Sequence, residues 1–140
     1  DYGLIFLSAL AEFKDKGFVS LRAIAKEKKL SMQYLSQIVI PLKDAGIVES
    51  KEGFNGGYRL GKNPADINLM EIMEVLEGGV NVLPCCDRSK NERLCGREAE
   101  CNLKGVWNDA SNLMRHFLRN KTLADTIRKS PREINVSIIK

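Results

Sequence analysis

The chain has 140 residues, 44% of them hydrophobic, enough for one compact domain or a small domain carrying an arm. Its formal net charge of +4 and pI near 8.9 are compatible with a nucleic-acid partner without requiring one. No run of about 18 apolar residues exists to span a membrane, and no secretory signal, nucleophile–base pair or phosphate loop is visible, so neither a membrane protein nor an enzyme is expected.

Residues 2–13, "YGLIFLSALAEF", read as an apolar helix. Ser20 is placed to cap a second helix through "LRAIAKEK", with Val19 and Ile24 at the spacing of a hydrophobic staple. Ser31 repeats the device for a third helix, with Leu30 and Leu35 as its staple. Leu35, Ile38, Val39 and Leu42 then point inward at helical spacing. Two short helices joined by a tight turn make the helix-turn-helix pattern. Pro41 is expected to kink or split the third helix, and Gly46 to end it.

Ile47, Val48, Tyr58 and Leu60 have strand character, and "KEGFNGG" between them has the turn residues of a hairpin. A hairpin directly after a helix-turn-helix is a wing. "NLMEIMEVLEGG" predicts a further helix with Leu69, Ile72, Met73 and Leu76 on one face, broken by Gly78 and Gly79. From Asn102 to Asn120 a long helix carries Leu103, Val106, Trp107, Ala110, Leu113, Met114 and Phe117 at alternating three- and four-residue steps. That stripe predicts a homodimer seam. "TLADTI" predicts a last short helix, and the tail from Arg128 is polar.

All four cysteines, Cys85, Cys86, Cys95 and Cys101, fall in one polar stretch between the last two long helices. Disulfide scaffolds spread their cysteines through chains that lack a core. Here the rest of the chain builds a core without them, so a local thiolate site in a cytoplasmic protein is the better reading. A closed zinc site is the weaker alternative, because its usual pair of CxxC motifs is absent. A thiol switch is another, since Arg88, Lys90, Arg93 and Arg97 favour thiolate.

The order of these parts resembles the Rrf-two family of bacterial winged-helix regulators. The resemblance runs from "DYGL" to "TLADTI" and is carried by "LSMQYLSQIVIPLKDAGIVES", "GGYRLGK", the cysteine loop and "CNLKGVW". It implies a homodimer on a palindromic double-stranded DNA operator and, in many members, a 2Fe–2S cluster. Members carry a few residues before the position of Asp1, so a short preceding segment is expected.

Cluster-binding members use three cysteines in this loop, the last two separated by five residues, as Cys95 and Cys101 are. Either Cys85 or Cys86 would supply the first ligand. IscR-type members take a His three residues after the last cysteine, where this chain has Lys104, and an ammonium has no lone pair to give. NsrR-type members take an Asp near the N-terminus from the partner subunit, and Asp1 falls at that position. A carboxylate is a harder ligand than a thiolate, so a labile iron corner is expected. Ligation by all four cysteines is the alternative.

The N-terminal part of a recognition helix faces the major groove. Here it holds Ser31, Met32, Gln33, Tyr34, Ser36 and Gln37, with Lys28 and Lys29 approaching the DNA backbone. Gln reads adenine through paired hydrogen bonds. In the wing, Glu52 stands where the IscR-type pattern has a minor-groove Arg, leaving Lys51 and Arg59 as candidate phosphate contacts.

The sequence therefore predicts a mainly α fold with a small β-hairpin. The winged helix-turn-helix occupies 1–79, the cysteine loop 80–101, the dimerisation helix and short final helix 102–127, and the tail 128–140. The expected function is a dimeric transcription repressor controlled by a 2Fe–2S cluster that senses iron, redox state or nitric oxide. The alternatives are a cluster-free regulator switched by cysteine oxidation or a partner protein, and a zinc-structured module that binds protein.

Overall fold

The computed structural model describes residues 2–83 and 100–127. Asp1, Cys85, Cys86, Cys95, most of the cysteine loop and the tail from 128 lie outside the described residues.

Helix α1 (Tyr2–Glu12) buries Phe6, Leu7, Ala9 and Leu10 against the core. Helix α2 (Leu21–Lys28) starts as expected, the Ser20 hydroxyl accepting from Ala23 N–H at 3.2 Å. It ends on Lys29, which adopts the left-handed conformation at φ 54° and donates its N–H to the Ala25 carbonyl. A side chain there costs roughly 1–2 kcal/mol, and the conformation turns the chain sharply into α3 (Met32–Asp44).

Leu35, Ile38, Val39 and Leu42 of α3 are all buried. Helix α3 runs unbroken through Pro41, so of the expected kink or split the split does not occur. Proline removes one intrahelical donor, but the Pro41 carbonyl still accepts from Ala45 N–H at 3.0 Å. The buried Val39 and Leu42 anchor the helix on either side of it. Gly46 then ends α3 in a Schellman arrangement at φ 68°, Gly46 N–H reaching Lys43 O and Ile47 N–H reaching Leu42 O.

The wing is an antiparallel pair, β1 (Val48–Lys51) and β2 (Gly57–Leu60), with Val48 opposite Leu60 and Glu49 opposite Arg59. Val19, just before α2, pairs with Tyr58 through two backbone hydrogen bonds of 2.8 and 2.9 Å. The wing and the helix-turn-helix are thereby laced together. Gly57 sits at φ 144° at this junction, and a Cβ there would meet the Val19 carbonyl oxygen at 2.4 Å.

Helix α4 (Leu69–Glu77) is capped by the Asn68 side chain, which accepts from Glu71 N–H. Ile72 is buried as expected, but Met70 is buried more deeply than Met73. The reason is that α4 packs on α1 and α3 and also on the last long helix, so it has more than one inward edge. Against α1 the approach is close: a Cβ on Gly3 would collide with the Leu76 side chain.

Helix α5 (Lys104–Arg119) begins two residues later than predicted. After it, the expected last short helix is the 3-10 helix Leu123–Thr126, opened by a Thr122–Asp125 capping box. Leu69 N–H donates to Lys121 O, and Leu123 N–H to Ile67 O, both at 2.8 Å. Leu123 is fully buried in the same core as Phe6, Ile24, Leu35 and Ile72.

Candidate nucleic-acid interface and cysteine site

The inner face of α3 is fixed in the core, which leaves Met32, Gln33, Tyr34, Ser36, Gln37 and Ile40 exposed. Gln33 and Gln37, four residues apart, share one face. Ile40 continues that face, three residues beyond Gln37, and is 59% exposed. Sequence reasoning missed it. The available signal was an apolar residue outside the inward set of Leu35, Ile38, Val39 and Leu42.

Two predicted hydroxyl contacts already have local partners. The Ser31 hydroxyl caps α3 by accepting from Tyr34 N–H, and the Ser36 hydroxyl donates to the Met32 carbonyl at 2.8 Å. The Tyr34 ring meets the Tyr2 ring edge-on, with centroids 5.3 Å apart.

The two lysines before α3 differ. The Lys28 ammonium lies 2.6 Å from Glu12 and 3.6 Å from Glu27, so it ties α2 to α1. The Glu12 hydrogen bond and charge raise its pKa above the ordinary lysine value, against the opposing pull of burial. Lys29 is exposed and makes no ion pair among the described residues.

In the wing, Arg59 pairs with Glu49 at 2.7 Å across the strands, and its guanidinium lies over the Phe18 ring. The Lys51 ammonium is 5.9 Å from the same ring. Glu52 is exposed, and Phe54 at the turn is fully exposed.

Helix α5 has two unlike faces. Toward α4 it presents Ser111, its one buried residue among those described. The Ser111 hydroxyl accepts from Val82 N–H at 3.0 Å and donates to the Trp107 carbonyl at 2.8 Å. Arg115 reaches the Val80 carbonyl and the Asn81 side chain. The outer face carries Leu103, Val106, Leu113, Met114 and Phe117, between 45% and 72% exposed, and Trp107 and Ala110 are half-buried.

A helix-turn-helix, a wing and an outlying helix in this order match a family model described as an iron-dependent transcriptional regulator, Rrf2, over residues 1–129. The chain belongs to the Rrf2 family. It is 34% identical to the HTH-type transcriptional regulator NsrR of Bacillus subtilis over 128 residues, 91% of this chain and 86% of that one. It is 44% identical to CymR of the same organism over 124 residues, 89% and 83% of the two chains. The solved structure of that protein, described as the global cysteine regulator of B. subtilis, superposes with a TM-score of 0.71 over 93% of each chain at 33% identity. The structure of T. potens IscR matches equally well, with a TM-score of 0.71 and 31% identity over 94% of this chain and 88% of that one.

This Rrf2 chain thus has the winged-helix fold of a transcriptional regulator, and its relatives are regulators rather than enzymes. Among the described residues no helix is long and apolar enough to cross a membrane. Of its five candidate cluster ligands, the described residues include Cys101 alone, an exposed free thiol three residues before α5. Its carbonyl accepts from Lys104 N–H at 3.3 Å. Among the described residues, no three potential metal ligands converge. A thiol at that position, open to solvent, suits the soft-donor chemistry of an iron–sulfur or zinc site.

Proposed function

We propose that this Rrf2 regulator is a homodimeric repressor that binds a palindromic operator through α3 and the wing, with DNA affinity set by a 2Fe–2S cluster. The observation that carries the DNA reading is the exposed Gln33–Gln37 face beside Lys29, which makes no ion pair among the described residues, on a helix whose other side is locked in the core. Gln33 and Gln37 read base edges, adenine by preference. Lys29 holds the phosphate backbone, and Tyr34 orients against it.

Homodimerisation is supported by the outer face of α5. Leu103, Val106, Ala110, Leu113 and Phe117 follow the three-and-four spacing of a coiled-coil seam, and most of them face solvent. A second copy of α5 is the self-complementary surface that would cover them.

Cys95 and Cys101, with Cys85 or Cys86, would hold the cluster, and Asp1 of the partner subunit would complete it. When bound, the cluster would supply an iron centre responsive to oxidant, nitric oxide or iron supply. Support comes from the thiol spacing, the soft donors and the family's iron-dependent character. The test is anaerobic purification with visible absorbance, iron and sulfide assays, and operator binding before and after chelation. Two irons and two sulfides per chain, with a changed affinity on removal, are expected. One zinc per chain without iron would overturn the cluster.

A second reading, a cluster-free regulator switched by thiol oxidation or a partner protein, is favoured by the 44% identity to CymR. It predicts colourless protein whose DNA binding responds to peroxide and is restored by dithiothreitol.

A further inference from the structure

We infer that Phe54 is an apolar wedge that packs against a base-pair step of the minor groove when the wing lies on DNA. The inference rests on the DNA-binding reading above and names a residue that determines specificity within it.

Phe54 is fully exposed, at 104% of its reference area. A large aromatic side chain at a solvent-facing turn gains only if something covers it. Within the described residues it has no ring or cation contact, and the turn holds it outward. Gly56 N–H bonds back to Gly53 O at 3.0 Å, closing a four-residue turn with Phe54 and Asn55 at its apex. Below the apex the stem is tight: a Cβ on Gly56 would meet the Lys51 carbonyl oxygen at 2.2 Å.

The stem is also coupled to the DNA-reading helices. The Val19–Tyr58 pair joins β2 to the residue that precedes the α2 cap. The wing tip therefore travels with the helix-turn-helix, which places Phe54 beside the duplex that α3 engages. This continuity selects DNA as the occupant.

The charges say how the tip would act. The cations of the wing are held at its stem, Lys51 near Phe18 and Arg59 over Phe18 in its ion pair with Glu49. The tip itself offers Glu52, Phe54 and Asn55. A carboxylate at the tip, that of the exposed Glu52, disfavours the electronegative narrow groove that arginine seeks. An aromatic ring instead enters by parting stacked bases, which is easiest at pyrimidine–purine steps. The Asn55 amide could then donate to the minor-groove acceptors of an A·T pair.

The test uses full-length protein and a duplex recovered by the wild type from a random pool, with 2-aminopurine at the steps flanking the central contacts. Wild type should brighten the probe at one symmetric pair of steps as the base unstacks. F54A should bind about tenfold more weakly, from the loss of one buried aromatic. It should keep the wild-type salt slope, because no phosphate contact is lost, and it should leave the probe dark. F54W should restore the signal. The ring is fully exposed and has no ring or cation contact among the described residues, so F54A should melt with the wild type. F54A that binds and brightens the probe like wild type overturns the wedge alone. Wild type that retains no duplex from the pool overturns the DNA-binding reading and the wedge with it.

Discussion

Replacing Gly57 by alanine tests how the wing is attached. The residue sits at φ 144°, and its new methyl group would lie 2.4 Å from the Val19 oxygen, 2.5 Å from the Val19 carbonyl carbon and 2.9 Å from Ser20 N. All three are backbone atoms, so no rotamer relieves the overlap. Strain at such a dihedral costs roughly 1–3 kcal/mol. Separating the strands sacrifices the two Val19–Tyr58 hydrogen bonds of 2.8 and 2.9 Å, each worth about 1 kcal/mol. The expected loss is about 3 kcal/mol, or on the order of 10 °C in Tm for a domain of this size. Gly53→Ala is the control, since its φ is 102° with nothing within 4 Å of a Cβ. It should lose only the dihedral contribution, about 1 kcal/mol. Urea and thermal unfolding followed by circular dichroism measure both. Equal destabilisation by the two variants would refute the collision at Val19.

Lys29→Ala should weaken binding to every sequence alike and reduce the log–log salt slope by roughly 0.9, whereas Gln33→Ala should relax base preference at about 1–3 kcal/mol; fluorescence titrations over a salt series separate the two. Lys28→Ala should change DNA affinity less than Lys29→Ala and cost at most about 1 kcal/mol of stability, because its carboxylate partners are partly exposed. Leu113→Glu should give monomers in the analytical ultracentrifuge at micromolar protein, and a dimer that persists would place the seam elsewhere. Cys95→Ala and Cys101→Ala should each abolish the visible chromophore, while of Cys85→Ala and Cys86→Ala only one should; Asp1→Ala should keep colour but change its lability.

Local signals in the sequence located most of the fold. Ser20 and Ser31 cap the helices they were expected to cap, because an N-cap depends on a hydroxyl and an amide three residues away. Gly46 ends α3 because few other residues hold φ 68° without strain. Long-range features were not legible. Lys28 looked like a free cation until folding brought Glu12, 16 residues earlier, to its ammonium. Arg59 found Glu49 only through the strand register. Pro41 reads as a breaker wherever burial of its neighbours is unknown. Met70 faces inward because α4 has neighbours on more than one side, which periodicity along one helix does not encode. The roles of the cysteines rest on spacing and family resemblance.

Ser111 and Arg115 have a mechanical consequence. They hold the chain at Val80, Asn81 and Val82, where it leaves α4 for the cysteine segment. That segment finishes at Cys101, against the first turn of α5. Both of its ends are therefore moored to one helix, like the feet of a handle. The entropy of bringing those ends together is already spent in the folded chain. Any pull exerted inside the handle is delivered to α5 near Ser111 and at its N-terminus. A tug applied at two points along one rod tilts it.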